Sequence, residues 1–196
     1  NTSMFLRILL EVVATVLVLQ ALHGLSDREA TEALNALSLD MIRAMSHALL
    51  AWQHDPEVHA VILRGEGGKA LCAGGDIRFF HRAAAARDPQ LITFFTEEYR
   101  LNHLIFSYAK PYIALMDGVV MGGGMGISQG ASLRVVTERT KMAMPETNIG
   151  LFPDVGGGWF LARVPGSVGE YLGVTGQVIE AADALAVGLA DCHVST

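Results

Sequence analysis

The central stretch of the chain, residues 110–160, reads KPYIALMDGVVMGGGMGISQGASLRVVTERTKMAMPETNIGLFPDVGGGWF. Its apolar run Tyr112–Met116 predicts a buried strand, and the contiguous glycines Gly122–Gly124 follow soon afterwards. Because glycine lacks a Cβ, another backbone or a ligand carbonyl can approach the main-chain N–H groups closely there. A helix that begins at these glycines adds unpaired N–H groups and a dipole that favours negative charge. The stretch therefore predicts an oxyanion-hole type of site.

Two acidic residues lie in the same stretch, Glu146 after Pro145 and Asp154 after Pro153. A pair of carboxyl groups beside an oxyanion site is well suited to moving protons. Glycine clusters also serve close packing, and acids beside prolines also occur in solvated turns. The central stretch alone leaves both interpretations open.

Composition excludes several classes of protein. With 196 residues, 51% of them hydrophobic and 17% charged, we expect one globular domain spanning residues 1–196. A net charge of -6 without a local basic patch argues against nucleic acid as a partner. The two cysteines have no CxxC spacing and the seven histidines no HExxH spacing, so we expect no metal site and a reducing, intracellular compartment.

The N-terminal run Phe5–Leu22 is almost entirely apolar, which raises the question of a targeting or membrane segment. Arg7, Glu11 and Gln20 interrupt the run, and its valines favour a strand. We therefore predict one or two buried strands and no membrane association, with a targeting segment as the alternative.

Strands and helices alternate along the rest of the chain, which predicts an α/β fold. Apolar residues at helical spacing follow Ser38, a candidate N-cap, and a β-branched run predicts the strand Val58–Leu63. Further helices are predicted from Ile77 onward and over Pro89–Ala109, Trp159–Arg163, Val168–Leu172 and Ile179–Val187, with a last strand over Cys192–Val194.

A second glycine loop, Ala73–Asp76, follows the strand Val58–Leu63 at a short distance. Gly65, Gly67 and Ala70 before it match the G-x-G-x-x-A dinucleotide pattern, but that pattern requires a helix directly afterwards. We therefore expect no nucleotide cofactor there. Two glycine loops that each supply one N–H can hold one carbonyl oxygen from both sides, and an ordinary strand-to-helix turn is the alternative.

Several segments, with the spacing between them, carry a specific resemblance to a known family. They are NALS at 35–38, KALCAGGDIR at 69–78, EEYRLN at 97–102, KPYIALMDGVVMGGGMGIS at 110–128 and MPETNIGLFPDVGGGWFLAR at 144–163. They resemble the crotonase (enoyl-CoA hydratase/isomerase) superfamily, most closely its 3-hydroxyisobutyryl-CoA hydrolase branch. The resemblance implies a ClpP/crotonase-like spiral of β-β-α units and an acyl-CoA substrate, with no cofactor beyond the coenzyme A of the substrate. It also implies a homo-oligomer, a trimer or hexamer in relatives.

The resemblance implies a role for each glycine loop. The N–H groups of Gly75 and Gly123 correspond to the two donors of the family's oxyanion hole. The segment that lies along coenzyme A corresponds to Asp76, Ile77 and Arg78. Either Arg78 or Lys69 is placed to meet the phosphates, and an ordinary surface position is the alternative for both.

The acids indicate which reaction the family resemblance implies. Hydratases carry a glutamate directly after the glycine block, where this chain has Gly126, so their carboxylate pair is incomplete here. Glu146 matches the second glutamate, and Asp154 matches an aspartate of the hydrolase branch. We predict Glu146 as nucleophile or general base and Asp154 as the group that positions water or protonates the leaving group, by an anhydride or a direct-water route. Glu98 matches a substrate-contacting glutamate of that branch.

The chain also departs from the family pattern. It lacks an LNRP-like phrase before Asn35, has Gln129 where the hydrolase branch commonly has histidine, and stops where relatives continue into C-terminal helices, so we expect a truncated core. An enoyl-CoA isomerase or hydratase using Glu146 alone, and a non-catalytic CoA-binding or assembly module, are the alternatives to the hydrolase. The expected compartment is a bacterial cytoplasm or a mitochondrial matrix.

Overall fold

Two mostly parallel sheets form the framework of the structure, a computed structural model that describes residues 14–18 and 35–196. The first sheet, in spatial order, contains β1 (Ala14–Val18), β2 (Ala60–Arg64), β4 (Tyr112–Met116), β6 (Leu133–Val136) and β9 (Cys192–His193). The second contains β3 (Ala70–Cys72), β5 (Val119–Met121), β7 (Lys141–Ala143) and β8 (Ile179–Glu180). All neighbouring strands are parallel except β7 and β8.

Each turn of the chain gives one strand to each sheet. β2 is followed by β3, β4 by β5 and β6 by β7, and the chain then passes through helical segments before it re-enters the first sheet. This succession is the spiral of β-β-α units that the family resemblance predicts, and the α/β fold class is confirmed.

The helices cover the sheets and carry most of the long apolar side chains. They are α1 (Leu39–Trp52), α2 (Ile77–Ala86), α3 (Gln90–Phe106), α4 (Gly123–Gln129), α5 (Gly157–Leu161), α6 (Val168–Thr175) and α7 (Ala181–Ala186), with a 3-10 turn over Glu146–Ile149. The predicted cap at Ser38 is confirmed, since its hydroxyl accepts a hydrogen bond from the Met41 N–H at 3.2 Å. Ile42, Met45 and Leu49 are buried, as their helical spacing predicts.

Helix α3 matters most for the site because it packs against α1 on one face and faces the glycine loops on another. Its apolar face, which includes Phe94, Leu101 and Ile105, is buried in the core. Phe95, Glu98, Tyr99 and Asn102 recur at helical spacing and line cavities. The predicted helix over Pro89–Ala109 is therefore confirmed, with slightly shorter ends.

The prediction was wrong at the start of the segment Ile179–Val187. Ile179–Glu180 forms β8 and pairs antiparallel with β7, and the helix begins only at Ala181. Glu180 is the N-cap, and its side chain and that of Asp183 form a reciprocal capping box. This box sets the boundary that the apolar pattern alone did not show.

Part of the N-terminal prediction lies outside the described residues. Ala14–Val18 is a strand that pairs with β2, in agreement with the prediction for that part of Phe5–Leu22. The other residues of the run, and the alternative of a targeting segment, fall outside the described ranges. Among residues 14–18 and 35–196, no helix is long and apolar enough to span a bilayer.

Candidate active site

A cavity of about 230 Å³ lies where β3, β5 and β7 end and the chain turns into α2, α4 and the 3-10 turn. The residues that the sequence predicts as oxyanion donors and acids all line it: Gly75, Gly123, Glu98, Glu146 and Asp154. The structure therefore brings together groups that are up to 79 residues apart in the chain.

The main-chain N–H of Gly75 is turned away from its neighbouring strand segment. Leu37 forms a parallel bridge with Gly75, in which the Leu37 N–H donates to Gly74 O at 2.7 Å and the Asp76 N–H donates to Leu37 O at 3.2 Å. In this pattern the N–H of the intervening residue points to the opposite side. Within the described chain, the Gly75 N–H donates to no other residue and is available to a ligand.

The second donor, Gly123, is the first residue of α4 and lies beside the Gly75 segment. A methyl group built on Gly123 would lie 3.5 Å from the Gly75 amide nitrogen. The Gly123 N–H has no acceptor among the residues that the structure describes. Two unpaired amides on adjacent backbone segments are the elements that an oxyanion hole requires.

Gly122 allows the carboxyl group of Glu146 to lie close to the backbone of the glycine block. Its backbone (φ 50, ψ -116) lies in a region open only to glycine, and a methyl group there would lie 2.5 Å from Glu146 Oε1. Any larger residue at this position would displace the Glu146 carboxyl group. This close approach is a specific reason for one glycine of the block.

Glu146 begins the 3-10 turn directly after β7 and is 8% exposed. Its Oε2 is buried and has no hydrogen-bond partner within the described chain. Burial, with a smaller contribution from the charge of Asp154, raises the pKa of Glu146 to about 7. A buried carboxyl group with one free oxygen and a pKa near neutral suits a general base or nucleophile.

Glu98 lies on α3, where acidic side chains are usually solvated, yet it is only 2% exposed. A methyl group on Gly123 would lie 2.7 Å from Glu98 Oε1, so the acid lies beside the second oxyanion donor. Burial, and then the charges of Asp154 and Glu146, raise the pKa of Glu98 to about 8. Glu98 is therefore mostly protonated at pH 7 and can donate a hydrogen bond.

Asp154 occupies the first position of a tight turn between the 3-10 turn and α5. Its carbonyl oxygen accepts a hydrogen bond from the Gly157 N–H at 2.5 Å, and the two intervening residues have positive φ, 42° at Val155 and 88° at Gly156. Positive φ at both central residues is the type I′ pattern. The prediction that Pro-Asp before glycines forms a turn and the prediction that Asp154 faces the cavity are both consistent with this geometry.

Among the described residues, Asp154 differs from the other two acids in having a side-chain hydrogen-bond donor. The Tyr99 hydroxyl donates to Asp154 Oδ2 at 2.7 Å. Burial raises the pKa of Asp154, and the hydrogen bond from Tyr99 opposes the rise. The cavity thus holds three carboxyl groups whose pKa values are all raised by burial, and groups that titrate near neutral pH can act as acid or base. Among the described residues, no group of three or more His, Cys, Asp or Glu side chains is arranged so that it could hold a metal ion.

Gly126, where hydratases carry their other glutamate, has no space for a side chain. A methyl group there would lie 2.5 Å from Asn102 Nδ2 and 2.6 Å from Val155 Cβ. Neither neighbour is free to retreat, since the Asn102 amide is enclosed and Val155 is buried. The packing around α4 therefore excludes a glutamate at position 126, so the second carboxylate of the hydratase pair cannot be accommodated there.

The remaining predicted site residues lie at the rim of the cavity or on the surface. Asp76 caps α2, its carboxylate accepting from the Arg78 N–H at 2.9 Å and the Phe79 N–H at 3.2 Å. Ile77 lines the cavity and is 59% exposed, while the side chains of Arg78 and Lys69 are exposed. Only Ile77 of these side chains reaches the cavity wall.

Gln129, the residue in place of the usual histidine, is buried and does not line this cavity. Its Nε2 donates to Leu189 O at 3.0 Å, and its Oε1 accepts from Arg134 at 3.0 Å. These bonds connect the end of α4 to β6 and to the segment before β9.

Tyr99 and Val155 are candidate functional residues that the sequence analysis missed. The helical spacing of Phe95, Glu98, Tyr99 and Asn102 contained a signal for Tyr99, because residues at such intervals share one face. A β-branched residue with positive φ has no comparable signal. Only the positive φ of Val155 in the structure identifies this residue as a candidate.

Comparisons with known proteins agree with this fold. A family model described as enoyl-CoA hydratase/isomerase matches residues 28–196. The chain is 54% identical to the mitochondrial 3-hydroxyisobutyryl-CoA hydrolase of Xenopus tropicalis over 159 residues, which are 81% of this chain and 41% of that protein. For the enzyme of the same name from Homo sapiens the identity is 50% over 157 residues, covering 80% and 41%.

Solved structures give the same result at the level of the fold. A carnitinyl-CoA dehydratase from Mycobacterium thermoresistibile matches with a TM-score of 0.82 and 43% identity, over 93% of this chain and 51% of that one. An enoyl-CoA hydratase from Rhodobacter sphaeroides matches with a TM-score of 0.83 and 40% identity, over the same shares. The chain spans about two fifths of the length of its curated relatives. From the β-β-α spiral, the paired glycine loops and these matches, we conclude that the chain belongs to the enoyl-CoA hydratase/isomerase (crotonase) family.

Proposed function

We propose that the protein hydrolyses the thioester of a short 3-hydroxyacyl-CoA such as 3-hydroxyisobutyryl-CoA. One observation carries the proposal: Glu146, with one buried carboxyl oxygen that has no partner in the described chain, shares a small cavity with two amides that have no acceptor there, while a second acid at Gly126 is sterically excluded. A site built this way can stabilise an oxyanion and supply one base. Addition of water across a double bond calls for the second carboxylate that Gly126 lacks.

The oxyanion donors and the acids have distinct roles in this reaction. The thioester oxygen accepts hydrogen bonds from the N–H groups of Gly75 and Gly123 as the carbonyl carbon becomes tetrahedral, and one such donor typically contributes about 3 to 4 kcal/mol. Glu146 either attacks the carbonyl carbon and expels the thiolate, forming an anhydride that water then hydrolyses, or removes a proton from a water molecule that attacks the carbonyl carbon directly. Asp154 positions the water or protonates the departing thiolate, after which coenzyme A leaves.

The size of the cavity and the state of Glu98 support a short hydroxylated acyl group. At about 230 Å³ the cavity is smaller than the roughly 300–1,000 Å³ of pockets for drug-sized ligands. Neutral Glu98 beside Gly123 can exchange hydrogen bonds with a 3-hydroxyl group and places no second full charge next to the oxyanion. The names of the curated relatives point to the same substrate.

The coenzyme A moiety extends from the cavity along the segment Asp76–Arg78 in this proposal. Ile77 supplies an exposed apolar contact at the cavity wall, and the exposed guanidinium of Arg78 or ammonium of Lys69 meets the phosphates. We expect a homo-oligomer without a separate cofactor. The relatives named as mitochondrial fit a matrix location in a eukaryote, and a bacterial protein would act in the cytoplasm.

The test offers wild-type protein 3-hydroxyisobutyryl-CoA and, separately, an unsaturated acyl-CoA, and follows free thiol and alkene absorbance. We expect wild type to release thiol, and Glu146→Gln to lower kcat by at least about 100-fold, the scale of a lost general base. The matched control is Glu170→Gln on α6, an exposed glutamate outside the cavity, which should keep the wild-type rate.

The other outcomes identify the alternatives. Absorbance change without thiol release, lost in Glu146→Gln, would establish an isomerase or hydratase; the structural neighbour from Rhodobacter sphaeroides is named an enoyl-CoA hydratase. Tight binding of a thioester analogue without any turnover would establish a non-catalytic CoA-binding module. Thiol release that survives Glu146→Gln would contradict the assignment of Glu146.

A further inference from the structure

Tyr99 is bonded to a group of the proposed chemistry but has no role in that chemistry so far. It lies on α3 directly after Glu98, with its ring 6.1 Å from that of Phe95, one turn earlier. Its hydroxyl donates to Asp154 Oδ2 at 2.7 Å, across 55 residues of sequence. Residue 99 is therefore fixed by its own helix on one side and bonded to a candidate catalytic acid on the other.

The two oxygens of Asp154 have different surroundings. Oδ2 accepts the hydrogen bond from Tyr99, whereas no side chain of the described ranges donates to Oδ1. The main-chain N–H of Asp154 is a second donor that lowers the pKa of this carboxyl group, after Tyr99. The turn from Asp154 to Gly157 fixes the backbone, because Val155 holds the left-handed conformation with its side chain buried. Such a conformation costs a β-branched residue on the order of 1–3 kcal/mol and persists only where the surroundings impose it.

We propose that Tyr99 is a positioning residue for the hydrolysis: it fixes one oxygen of Asp154 so that the other oxygen orients the attacking water. This inference rests on the proposed function and chooses between the two roles left open for Asp154. A donated hydrogen bond favours the ionised carboxylate, which can accept a hydrogen bond from water but cannot protonate a leaving thiolate. Departure of the thiolate then depends on another proton, for which protonated Glu146 or Glu98 is in the same cavity.

The charged surroundings of Asp154 agree with this role. Glu98 and Glu146 face it across the cavity, and His103, one turn beyond Tyr99 on α3, lines the adjoining cavity with it. Burial and the two acids disfavour a further negative charge here, so the Tyr99 hydroxyl is the side-chain donor that offsets them among the described residues. Removal of this hydroxyl should raise the pKa of Asp154.

The first experiment is a carbon-13 NMR titration of the aspartate carboxyl groups, with the Asp154 signal assigned from Asp154→Asn. We expect Tyr99→Phe, which keeps the ring and removes only the hydroxyl, to titrate Asp154 at higher pH than wild type. Tyr171→Phe is the matched control, since Tyr171 is an exposed tyrosine of α6 outside both cavities. An unchanged Asp154 titration in Tyr99→Phe overturns the inference, whether or not the protein turns over any thioester.

The second experiment is the pH dependence of thiol release. Tyr99→Phe should lower kcat by about tenfold, as expected for one charge-assisted hydrogen bond, change KM by less than about threefold and move the acid limb of kcat upward. In an Asp154→Asn background the same change should cost nothing further. Equal losses in both backgrounds would show that Tyr99 acts only on folding. Absence of thiol release from wild type would refute the proposed function while the titration still decides the role of Tyr99.

Discussion

Two cavities adjoin at Asp154 and Val155, and they differ in almost every other respect. The cavity with the acids and glycine amides has a volume of about 230 Å³, whereas its neighbour has about 430 Å³. The larger one is lined mainly by aromatic rings and glycines, among them Phe106, Phe152 and Trp159. The smaller one contains buried carboxyl groups with raised pKa values, and amides that have no acceptor in the part of the chain that the structure describes.

The comparison teaches that buried carboxyl groups beside main-chain amides without acceptors in the described chain locate the chemistry better than volume does. An apolar cavity offers contact area but nothing that distinguishes a transition state from a ground state. In the smaller cavity the protein tolerates an unpaired Glu146 oxygen and the Val155 backbone conformation, features that cluster at functional sites. Substitutions of residues that line each cavity test this difference.

The largest effect is expected when a glycine of the acid cavity gains a methyl group. Gly122→Ala forces alanine into a glycine-only conformation and pushes on Glu146 Oε1, which would be 2.5 Å away. We expect kcat/KM for thiol release to fall by about 100-fold, corresponding to roughly 2.7 kcal/mol of transition-state stabilisation.

The matched control for this change is Gly158→Ala in the wall of the apolar cavity. Gly158 is in α5 with ordinary helical φ, and a methyl group there would meet no atom within 4 Å. The Gly158→Ala variant should be as active as wild type, and its stability should be unchanged or slightly higher. Equal losses in the two variants would show that both cavities serve the reaction.

A smaller effect is expected at Glu98. If neutral Glu98 binds the substrate, the pH profile of wild type should have an alkaline limb near pH 8, where this carboxyl group ionises. Glu98→Gln keeps a neutral hydrogen-bonding group and should lose that limb, with a rate at pH 7 within about fivefold of wild type. Glu97→Gln is the matched control, since the neighbouring Glu97 pairs at the surface with Arg43 at 2.8 Å.

Glu98→Gln should also stabilise the protein by an amount that depends on pH. Because the folded pKa of Glu98 is raised from 4.5 to about 8, its contribution to stability is present below about pH 4.5 and is lost as pH rises toward 8. Glu98→Gln should therefore melt higher than wild type at pH 8.5, by at least about 2 to 4 °C for 1 kcal/mol in a chain of this size. The difference should close at pH 4.5, and a difference of opposite sign would contradict the raised pKa.

The glycine loops and their acids could be predicted because short local segments of the sequence indicate them. Gly75 and Gly123 follow apolar runs, and Glu146 and Asp154 stand beside prolines, so spacing and family motifs indicated them. The strands β3 and β7 escaped prediction because three-residue segments show too little alternation to be recognised. The burial of Glu98 and its proximity to Asp154 depend on how α3 packs, which no local pattern encodes.

The smallest effect is expected in the apolar cavity at Phe152, which lines it and is 68% exposed. Phe152→Ala removes a ring with little buried area, so stability should change by less than about 0.5 kcal/mol. With a four-carbon 3-hydroxyacyl-CoA, kcat and KM should remain within about twofold of wild type, because the acyl group fits the acid cavity. The informative comparison repeats the measurement with a longer 3-hydroxyacyl chain. A selective rise in KM for the long chain in Phe152→Ala would show that the acyl tail passes Asp154 into the apolar cavity, and the division between a reactive and an inert cavity would then be wrong.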